Sequence, residues 1–447
     1  MANTKKKAEL AAEQKLAAAL VPEEERPYPV PGNWHWLRGK AILKGMKSTS
    51  PKGATFRYVD IDSIDNKRQV VSNPKMLPTE KAPSRASRLL GTGDTLFSMV
   101  RPYLRNIAYI DDGLSDCIGS TGFYVCKPAS CLAPRYLYHL MRSDYVVMGL
   151  SSFMKGDNSP SIRKGDIDSF PFPLPPLPEQ ERIVTRVESL FSKLDEAESR
   201  LKKALEQSET RRAAILNAAF TGALTAGWRA NHGLSKKSWK CQRFGDVAVI
   251  RSNLVNPGDY QEMPHIAPDN IEKKTGRLLE FRTVAEDGVT SGKHRFYPGQ
   301  ILYSKIRPYL SKAVIVDFDG LCSADMYPVE ARGDTRFLWY YILSDEFLAQ
   351  TFDAGSRTVL PKINQRGLSA IQVPVPTLPE QHEIACRLDD IFASEDAAMD
   401  KVRAVLASTA ILRQTILAKA LRGELGTNDP EEESALESAL ELDGLSR

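Results

Sequence analysis

The stretch P-L-P-P-L-P-E-Q-E-R-I at residues 173–183 returns as P-V-P-T-L-P-E-Q-H-E-I at residues 374–384. The two copies lie 201 residues apart, and L-P-E-Q occupies the same proline frame in both. A shared phrase at this spacing indicates an internal duplication, which has to be traced before any other signal is interpreted.

The duplication continues for more than 40 residues past the phrase without an insertion. At the same offset, six positions of the first copy correspond in order to six positions of the second: Ile183, Val187, Leu190, Leu194, Leu201 and Ile215 to Ile384, Leu388, Ile391, Glu395, Val402 and Ile416. Within each copy the apolar positions step by four and three residues, which is the period of a coiled-coil seam. Two unrelated surface helices would not explain the constant offset.

Each duplicated segment begins after prolines with glutamate in its first turn and ends at Gly222 or Gly423, as helices typically do. The sequence therefore predicts long helices over residues 179–220 and 380–421, each roughly 63 Å long at 1.5 Å per residue. We expect them to pair antiparallel through a seam formed by Ile183, Val187, Leu190, Leu194, Leu201, Ile384, Leu388, Ile391 and Val402.

The segments before the helices repeat more loosely. L-F-S-M-V-R-P-Y-L at residues 96–104 matches L-Y-S-K-I-R-P-Y-L at 302–310, and Trp34 corresponds to Trp239. Short runs of Val, Ile, Tyr and Phe between Gly, Pro and Asn indicate strands and turns with a few helices. The predicted fold class is α+β, with two similar α/β modules separated by two long helices that pair as an antiparallel coiled coil with pseudo-twofold symmetry.

This organisation predicts seven segments along the chain. They are a helical arm at 1–29, a first module at 30–172, a first long helix at 173–225, a linker at 226–238, a second module at 239–373, a second long helix at 374–425 and an acidic, disordered tail at 426–447.

Composition sets broad limits on the class of protein. The chain is 42% hydrophobic and 26% charged, as in a globular protein, and its net charge of +4 does not by itself indicate a nucleic-acid partner. The six cysteines form no C-x-x-C pair and lie far from most histidines, so no metal site is expected. Without a signal peptide or an apolar run near 18 residues, the sequence predicts a cytoplasmic protein without a membrane partner.

The arrangement of motifs resembles the specificity subunit of type I restriction–modification systems. In that family two target-recognition domains alternate with two helical regions, and L-P-E-Q is a recurring mark of the helix start. The phrase A-L-V-P-E-E-E-R-P-Y-P at residues 19–29 and the G-N-W that follows also fit, so the resemblance covers nearly the whole chain except the acidic tail.

The resemblance implies a DNA-binding subunit in which each module reads one half of a bipartite site. It implies double-stranded DNA, two modification (methyltransferase) subunits docked on the helices and a restriction/translocase subunit as partners. The chain alone would be non-catalytic and bind no cofactor, within a restriction endonuclease and adenine methyltransferase complex. S-adenosylmethionine, ATP and Mg²⁺ would belong to the partner subunits.

Two other classes of function stay open at this point: a coiled-coil adaptor without a DNA role, and a diverged nuclease or methyltransferase. Asp269, Glu272 and Lys274 superficially match the D…E-x-K pattern of restriction nucleases, but the gap between the carboxylates is short. The sequence contains no Asn/Asp-Pro-Pro-Tyr/Phe methyltransferase motif, no Gly-rich loop for S-adenosylmethionine and no phosphate-binding loop for ATP.

Candidate DNA contacts follow from local basic clusters rather than from total charge. Residues 30–172 carry 20 Lys and Arg against 12 Asp and Glu, whereas residues 238–373 carry 17 against 16. The candidates are Lys47, Lys52, Arg57, Arg101, Tyr103, Arg105, Lys155, Asn158, Arg163 and Lys164 in the first module, and Lys305, Arg307, Tyr309, Lys312, Arg357, Lys362, Asn364 and Arg366 in the second.

Two segments carry most of these candidates. R-P-Y-L is the same in both modules, so it favours a phosphate contact or a buried structural corner over base readout, because base-reading residues should differ between modules. The segment K-G-D-N-S-P-S-I-R-K at 155–164 does differ from S-R-T-V-L-P-K-I-N-Q at 356–365. This variable loop is the candidate for direct DNA contact, with a solvated surface turn as the alternative.

Overall fold

The computed structural model describes residues 17–354 and 361–436, excepting the side chains of residues 353 and 354. Most of the predicted N-terminal arm, Arg357 and the end of the acidic tail lie outside the described residues. The chain divides into two compact units, Met1–Ser199 with Leu406–Arg447 (the first unit) and Arg200–Val405 (the second unit).

The two predicted long helices are confirmed. They span Leu177–Phe220 (α5) and Leu378–Leu421 (α11), so each begins two residues before its predicted start and ends where predicted. Gly222 and Gly423 follow with φ angles of 85° and 73°. This left-handed conformation favours glycine, which explains the stop signal at the end of each helix.

The first unit contains short strands around one module. They are β1 His35–Arg38, β2 Leu43–Lys44, β3 Thr55–Val59, β4 Ile64–Asp65, β5 Val70–Val71, β6 Lys75–Pro78, β7 Ala86–Leu89, β8 Thr95–Ser98, β9 Ile107–Tyr109, β10 Ile118–Ser120, β11 Phe123–Pro128 and β12 Pro171–Leu174. Its short helices are α1 Gly39–Ile42, α2 Pro134–Met141, α3 Asp144–Ser151 and α4 Lys164–Ser169. The sheets have the orders β6-β3-β10-β7, β2-β11-β8-β9, β1-β12 and β4-β5.

The second unit contains the other module. Its strands are β13 Lys240–Arg243, β14 Ala248–Ile250, β15 Leu254–Val255, β16 Pro264–Ile266, β17 Arg282–Thr283, β18 Lys293–Phe296, β19 Ile301–Ser304, β20 Ala313–Ile315, β21 Gly320–Cys322, β22 Met326–Ala331 and β23 Gln372–Val375. Its short helices are α6 Ala226–Asn231, α7 Phe244–Val247, α8 Thr335–Ile342, α9 Asp345–Ala354 and α10 Gln365–Ala370. The sheets have the orders β15-β18-β21-β16-β17, β14-β22-β19-β20 and β13-β23.

The two modules share one topology. The sheet β2-β11-β8-β9 corresponds strand by strand to β14-β22-β19-β20. The other main sheet of each module contains one parallel pair, β3 with β10 and β16 with β21, among antiparallel neighbours. In each module the first strand also pairs antiparallel with the last, β1 with β12 and β13 with β23. The prediction of two similar α/β modules is therefore confirmed.

Each unit packs parts of both long helices against its module. In the first unit, Ile183 and Val187 of α5 and Leu417 of α11 belong to the same buried cluster as Tyr136 of α2. In the second unit, Leu216 of α5, Ile384 and Leu388 of α11, and Tyr341 of α8 share a buried cluster in the same way. Each such apolar side chain contributes about 1.5–3 kcal/mol when fully buried. The other predicted seam residues, Leu190, Leu194, Leu201, Ile391 and Val402, are half-buried.

Polar contacts also join the two long helices within each unit. In the second unit, Arg212 lies 3.3 Å from the carboxylate of Asp396. In the first unit, Arg413 lies 2.6 Å from the carboxylate of Asp195. The full antiparallel coiled coil stays a prediction.

The chain that follows each long helix folds back onto its own unit. The predicted linker contains helix α6, and Trp34 donates from Nε1 to Asn428 Oδ1 at 3.1 Å in the predicted tail. Asn33 donates to the carbonyl oxygen of Asp429 at 2.9 Å and accepts from the backbone amide of Ala435 at 3.2 Å. Long-range hydrogen bonds thus join residues 428–435, in the part of the tail that the structure describes, to the start of the first module.

Helix α11 is also long and apolar enough over one 18-residue window to pass a length-and-composition test for a membrane span. The mean hydropathy of that window is 1.3, and 22% of it is buried. Core helices of globular proteins pass the same test, so this is weak support for a span.

Candidate nucleic-acid interface

The R-P-Y-L phrase forms a tight turn shortly after strand β8. Arg101 and Arg105 flank a single 3-10 turn, Pro102–Leu104, with left-handed φ angles of 47° and 58°. Such a backbone costs of order 1–3 kcal/mol for a residue other than glycine, and it occurs most often at functional sites. Pro102 is buried, whereas the Tyr103 side chain is 45% exposed. The proline therefore anchors the turn in the module, and the tyrosine is exposed to solvent.

The second module repeats the same geometry. Arg307 and Ser311 have φ angles of 47° and 45° around the turn Pro308–Leu310, and Tyr309 is 42% exposed. Two modules with different loop sequences thus keep the same strained turn and the same exposed tyrosine.

In each module the structure brings this turn together with the variable loop. The amide of Arg101 donates to the carbonyl of Pro160 at 2.9 Å, and its Nη2 donates to the carbonyl of Asn158 at 2.8 Å. In the second module the amide of Arg307 donates to the carbonyl of Pro361 at 2.9 Å. The two segments that carry most DNA-binding candidates therefore lie together in each module. We call them the turn-and-loop surface: residues 101–105 with 155–164 in the first module, and residues 307–311 with the described residues 361–365 in the second.

Several cations on this surface project into solvent. Lys155 and Arg163 are exposed, and neither side chain has a hydrogen bond or ion pair within the described part of the chain. Lys164 lies 3.8 Å from Asp168, which lies one helical turn away in α4. Tyr103, Lys155 and Arg163 are thus available to contact a polyanion.

In the second module, several candidates among the described residues already have partners. Lys362 pairs with Asp325 at 3.0 Å, and the Asn364 side chain caps helix α10 by accepting from the amide of Gly367 at 2.8 Å. Arg366 is exposed, and Lys305 lies 4.9 Å from the centre of the Tyr327 ring.

Other sequence candidates already have partners or lie elsewhere in the chain. Arg57 of strand β3 pairs with Asp116 at 2.7 Å, and Arg105 pairs with Asp144 and donates to the carbonyl of Arg142 at 3.1 Å. Lys312 donates to the carbonyl of Pro268 at 2.7 Å. The exposed Lys47 and Lys52 lie between strands β2 and β3, outside the turn and the variable loop.

The nuclease-like pattern has structural partners of its own. Glu272 accepts a hydrogen bond from Thr275 at 2.7 Å, and Asp269 lies 3.6 Å from Lys312. Among residues 17–354 and 361–436, no group of three or more His, Cys, Asp or Glu side chains could hold a metal ion.

The glutamates of the two L-P-E-Q phrases are fully buried anchors, a role that the sequence did not reveal. Glu380 accepts from Thr225 at 2.7 Å and from Trp239 Nε1 at 3.0 Å, and it forms a buried ion pair with Arg229. These partners belong to the chain that follows α5, so Glu380 fixes that chain to the start of α11.

In the first unit, Glu179 fixes the chain that follows α11 to the start of α5. It accepts from Thr427 at 2.7 Å, in the chain that follows α11, and from Arg182 at 2.7 Å. Burial raises the pKa of Glu179, with Thr427 and Arg182 opposing the shift.

The neighbouring glutamines fix the module to the helix. Gln180 accepts from the amide of Ala133 at 2.7 Å, and Gln381 accepts from the amide of Asp334 at 3.1 Å, in each case just before a module helix begins. The proline phrase thus joins a module, a long helix and the chain that returns after the other long helix.

This architecture is similar to that of a known protein family. The family described as "Type I restriction modification DNA specificity domain" matches residues 89–207 and 236–406. The chain belongs to this family. It is similar to the type I restriction enzyme EcoDI specificity subunit of Escherichia coli, with 42% identity over 323 residues that cover 68% of this chain and 72% of that protein.

Two solved structures agree with the family assignment. One is a chain of a type I restriction–modification system studied for its assembly and conformational transition, with 26% identity and a TM-score of 0.73 over 89% of this chain and all of that one. The other is the HsdS subunit of Thermoanaerobacter tengcongensis, with 27% identity and a TM-score of 0.61 over 90% of this chain and all of that one.

These similarities confirm the expected function: the protein is a DNA sequence-specificity subunit of a type I restriction–modification system. A specificity subunit of this family works in association with DNA and with the other subunits of its system. The assignment of the turn and loop residues as DNA contacts stays a prediction. The pairing of the long helices through the seam residues, which would set the distance between the modules, also stays a prediction.

Proposed function

We propose that each module reads one half of a bipartite DNA site through its turn-and-loop surface. The observation that carries this proposal is the pair of hydrogen bonds from Arg101 to the carbonyls of Pro160 and Asn158, which join the repeated turn to the variable loop. A repeated part suits contacts that position the protein on phosphate, and a variable part suits contacts that distinguish bases.

The long helices act in this proposal as a spacer between the two readers. Helices of 44 residues are about 66 Å long at 1.5 Å per residue, which is compatible with half-sites one to two helical turns of B-DNA apart. Ion pairs between Arg212 and Asp396 and between Arg413 and Asp195 support a fixed register of the helices. Two modification subunits dock along these helices, and a restriction/translocase subunit completes the complex.

The chain itself carries out no chemistry in this proposal. S-adenosylmethionine, ATP and Mg²⁺ bind to the partner subunits, and the protein works in the cytoplasm. Incubation of the purified chain alone with DNA and a labelled methyl donor tests this part, and methyl transfer by the chain alone would contradict it. An adaptor without a DNA role would show no salt-dependent binding to duplex DNA, which separates the two functions.

Module exchange tests half-site reading directly. Methylome sequencing of a host that carries the system gives the bipartite site, and residues 30–172 are then replaced by the matching module of a relative. We expect one half of the methylated site to change and the other half to stay. If both halves changed, or neither did, independent reading by the two modules would be wrong.

A further inference from the structure

Bulky apolar side chains are exposed beside the repeated turn in both modules. In the first module Met148 of α3 is 60% exposed, and Phe153, just after that helix, is 45% exposed. In the second module Phe352 of α9 is 61% exposed. Helices α3 and α9 each pack against the R-P-Y-L turn of their own module. Packing of the cores does not explain why these side chains are exposed, because the cores bury other faces of the same helices.

The position of Met148 follows from the contacts of its helix. Val146, Val147 and Leu150 face the core, whereas Asp144 pairs with Arg105 at the end of the turn. Because residues four apart share a helix face, Met148 lies next to Asp144 on the side of the turn.

Phe153 connects this helix to the variable loop. It precedes Lys155 by two residues, and Lys155 and Ser161 exchange backbone hydrogen bonds of 3.0 and 3.1 Å that close the loop. Met148 thus lies in the helix that packs against the turn, Phe153 lies just after that helix, and Tyr103 is exposed in the turn itself. We call these three side chains the apolar patch. Arg101 of the turn and Lys155 and Arg163 of the variable loop are exposed cations of the same segments.

The apolar positions differ between the modules while the turn stays the same. At the offset of 201, Met148 corresponds to Ala349 and Phe352 corresponds to Ser151. A side chain that only supported the shared turn would be expected to recur in both modules. Variation at a shared location is what residues that distinguish DNA sequences require.

We propose that Met148 and Phe153 contact thymine in the first half-site through the 5-methyl group of the base. The inference rests on the proposed function and adds specificity residues to it. In the major groove of B-DNA the thymine methyl is the apolar group on the base edges, and apolar side chains recognise it by contact. The surrounding cations favour DNA over a protein partner, because they match the phosphates that border the groove.

The experiment uses the full-length chain assembled with its modification subunits and a duplex that carries its methylated site. Each thymine of the first half-site is replaced in turn by deoxyuridine, which removes the methyl group and keeps base pairing. A half-site with a methylated adenine contains at least the thymine paired to it. We expect at least one replacement to weaken binding about four-fold, the value of one buried methyl group.

The same duplexes are then measured with Met148→Ala and Phe153→Ala. We expect at least one of these variants to bind thymine and deoxyuridine equally at the sensitive position. Met76→Ala is the matched control, because Met76 is 62% exposed in strand β6 of the same unit and lies outside the patch. This control should keep the full difference between the two bases.

Two results would overturn the inference: no thymine of the half-site is sensitive, or both variants keep the full difference between thymine and deoxyuridine. If, in the second case, the variants also weakened assembly with the modification subunits, the patch would be assigned to a protein partner. Preference of the unaltered complex for its site over a scrambled duplex is measured in parallel. If the unaltered complex showed no such preference, the proposed function itself would be wrong. That outcome is distinguishable from failure of this inference alone.

Discussion

Arg413 of the second long helix lies 2.6 Å from the carboxylate of Asp195 of the first, and the same contact recurs between Arg212 and Asp396. Asp195 and Asp396 are 201 residues apart, as are Arg212 and Arg413. From Asp195 to Arg212 the first helix advances by 17 residues, whereas the partner changes from Arg413 to Asp396, 17 residues towards the N-terminus. The predicted antiparallel coiled coil requires this order of contacts, and the pairing along the whole length of the helices stays a prediction.

The aromatic neighbours of these arginines repeat as well. The Arg413 guanidinium lies 5.2 Å from the centre of the Phe191 ring, and the Arg212 guanidinium lies 3.8 Å from that of Phe392. Phe191 and Phe392 are again 201 residues apart. Duplication has thus preserved a three-residue contact between the helices in each unit.

A charge exchange tests this register. Asp195→Arg places two arginines together and should lower the free energy of unfolding, whereas adding Arg413→Asp should restore part of it. Because Asp195 is largely exposed, we expect a coupling of about 0.2–1 kcal/mol in a double-mutant cycle of urea unfolding. The same cycle at Arg212 and Asp396 is the matched control, and additive effects in both cycles would contradict the register.

The buried glutamates predict an unequal response in the two units. Glu380→Ala leaves Arg229 without its carboxylate in a site where that arginine side chain is only 8% exposed, and breaking a buried pair costs about 3–5 kcal/mol. Glu179→Ala should cost less, because the side chain of its partner Arg182 is 38% exposed and also binds Glu432. Thermal unfolding of both variants checks the order, and equal losses would argue against the anchoring role of Glu380.

Buried histidines predict a loss of stability at mildly acidic pH. Burial lowers the pKa of His294 below its ordinary value, with nearby Lys305 acting in the same direction. The unfolded chain therefore binds the proton more readily, so the free energy of unfolding falls as the pH drops below about 6.5. Urea unfolding at pH 7 and pH 5 measures this slope.

His294→Phe should reduce the slope, because it removes a group that the fold keeps neutral. Tyr327→Phe is the control, because it alters an aromatic neighbour of His294, with ring centres 6.5 Å apart, without removing a group that titrates between pH 5 and pH 7. An identical slope in His294→Phe would exclude His294 as a contributor.

The periodic parts of the sequence predict the structure well. The constant offset and the step of four and three residues predicted both long helices to within two residues, and Gly222 and Gly423 marked their ends. The repeat also predicted that the two modules share a fold, because a shared phrase such as R-P-Y-L requires a shared turn.

The sequence did not reveal contacts that depend on the tertiary fold. The partners of Glu380 lie more than 140 positions away, and nothing in L-P-E-Q distinguishes a buried glutamate from a helix-capping one. The acidic composition of the tail predicted disorder, whereas Asn428 binds Trp34. The exposure of Met148 was equally hidden, since an apolar residue in an apolar helix is ordinarily assigned to the core.

Affinity and specificity should depend on different residues of the first module. Arg101 belongs to the turn that both modules keep, and its guanidinium already donates to Asn158, so Arg101→Ala should weaken binding about equally on all sequences. Loss of one phosphate contact should lower the salt slope by about one. Arg163 is exposed in the variable loop, and Arg163→Ala should cost about 1–3 kcal/mol on the cognate site and relax one base position.

Affinities of both variants are measured at several salt concentrations on the cognate duplex and on single-mismatch duplexes. Lys81→Ala is the control, because Lys81 is exposed in the same unit but is not among the candidate DNA contacts. The loss of binding affinity in this control variant should be small and independent of the DNA sequence. A relaxed specificity in Arg101→Ala together with a uniform loss in Arg163→Ala would reverse the two roles, since base contacts would then lie in the repeated turn and phosphate contacts in the variable loop.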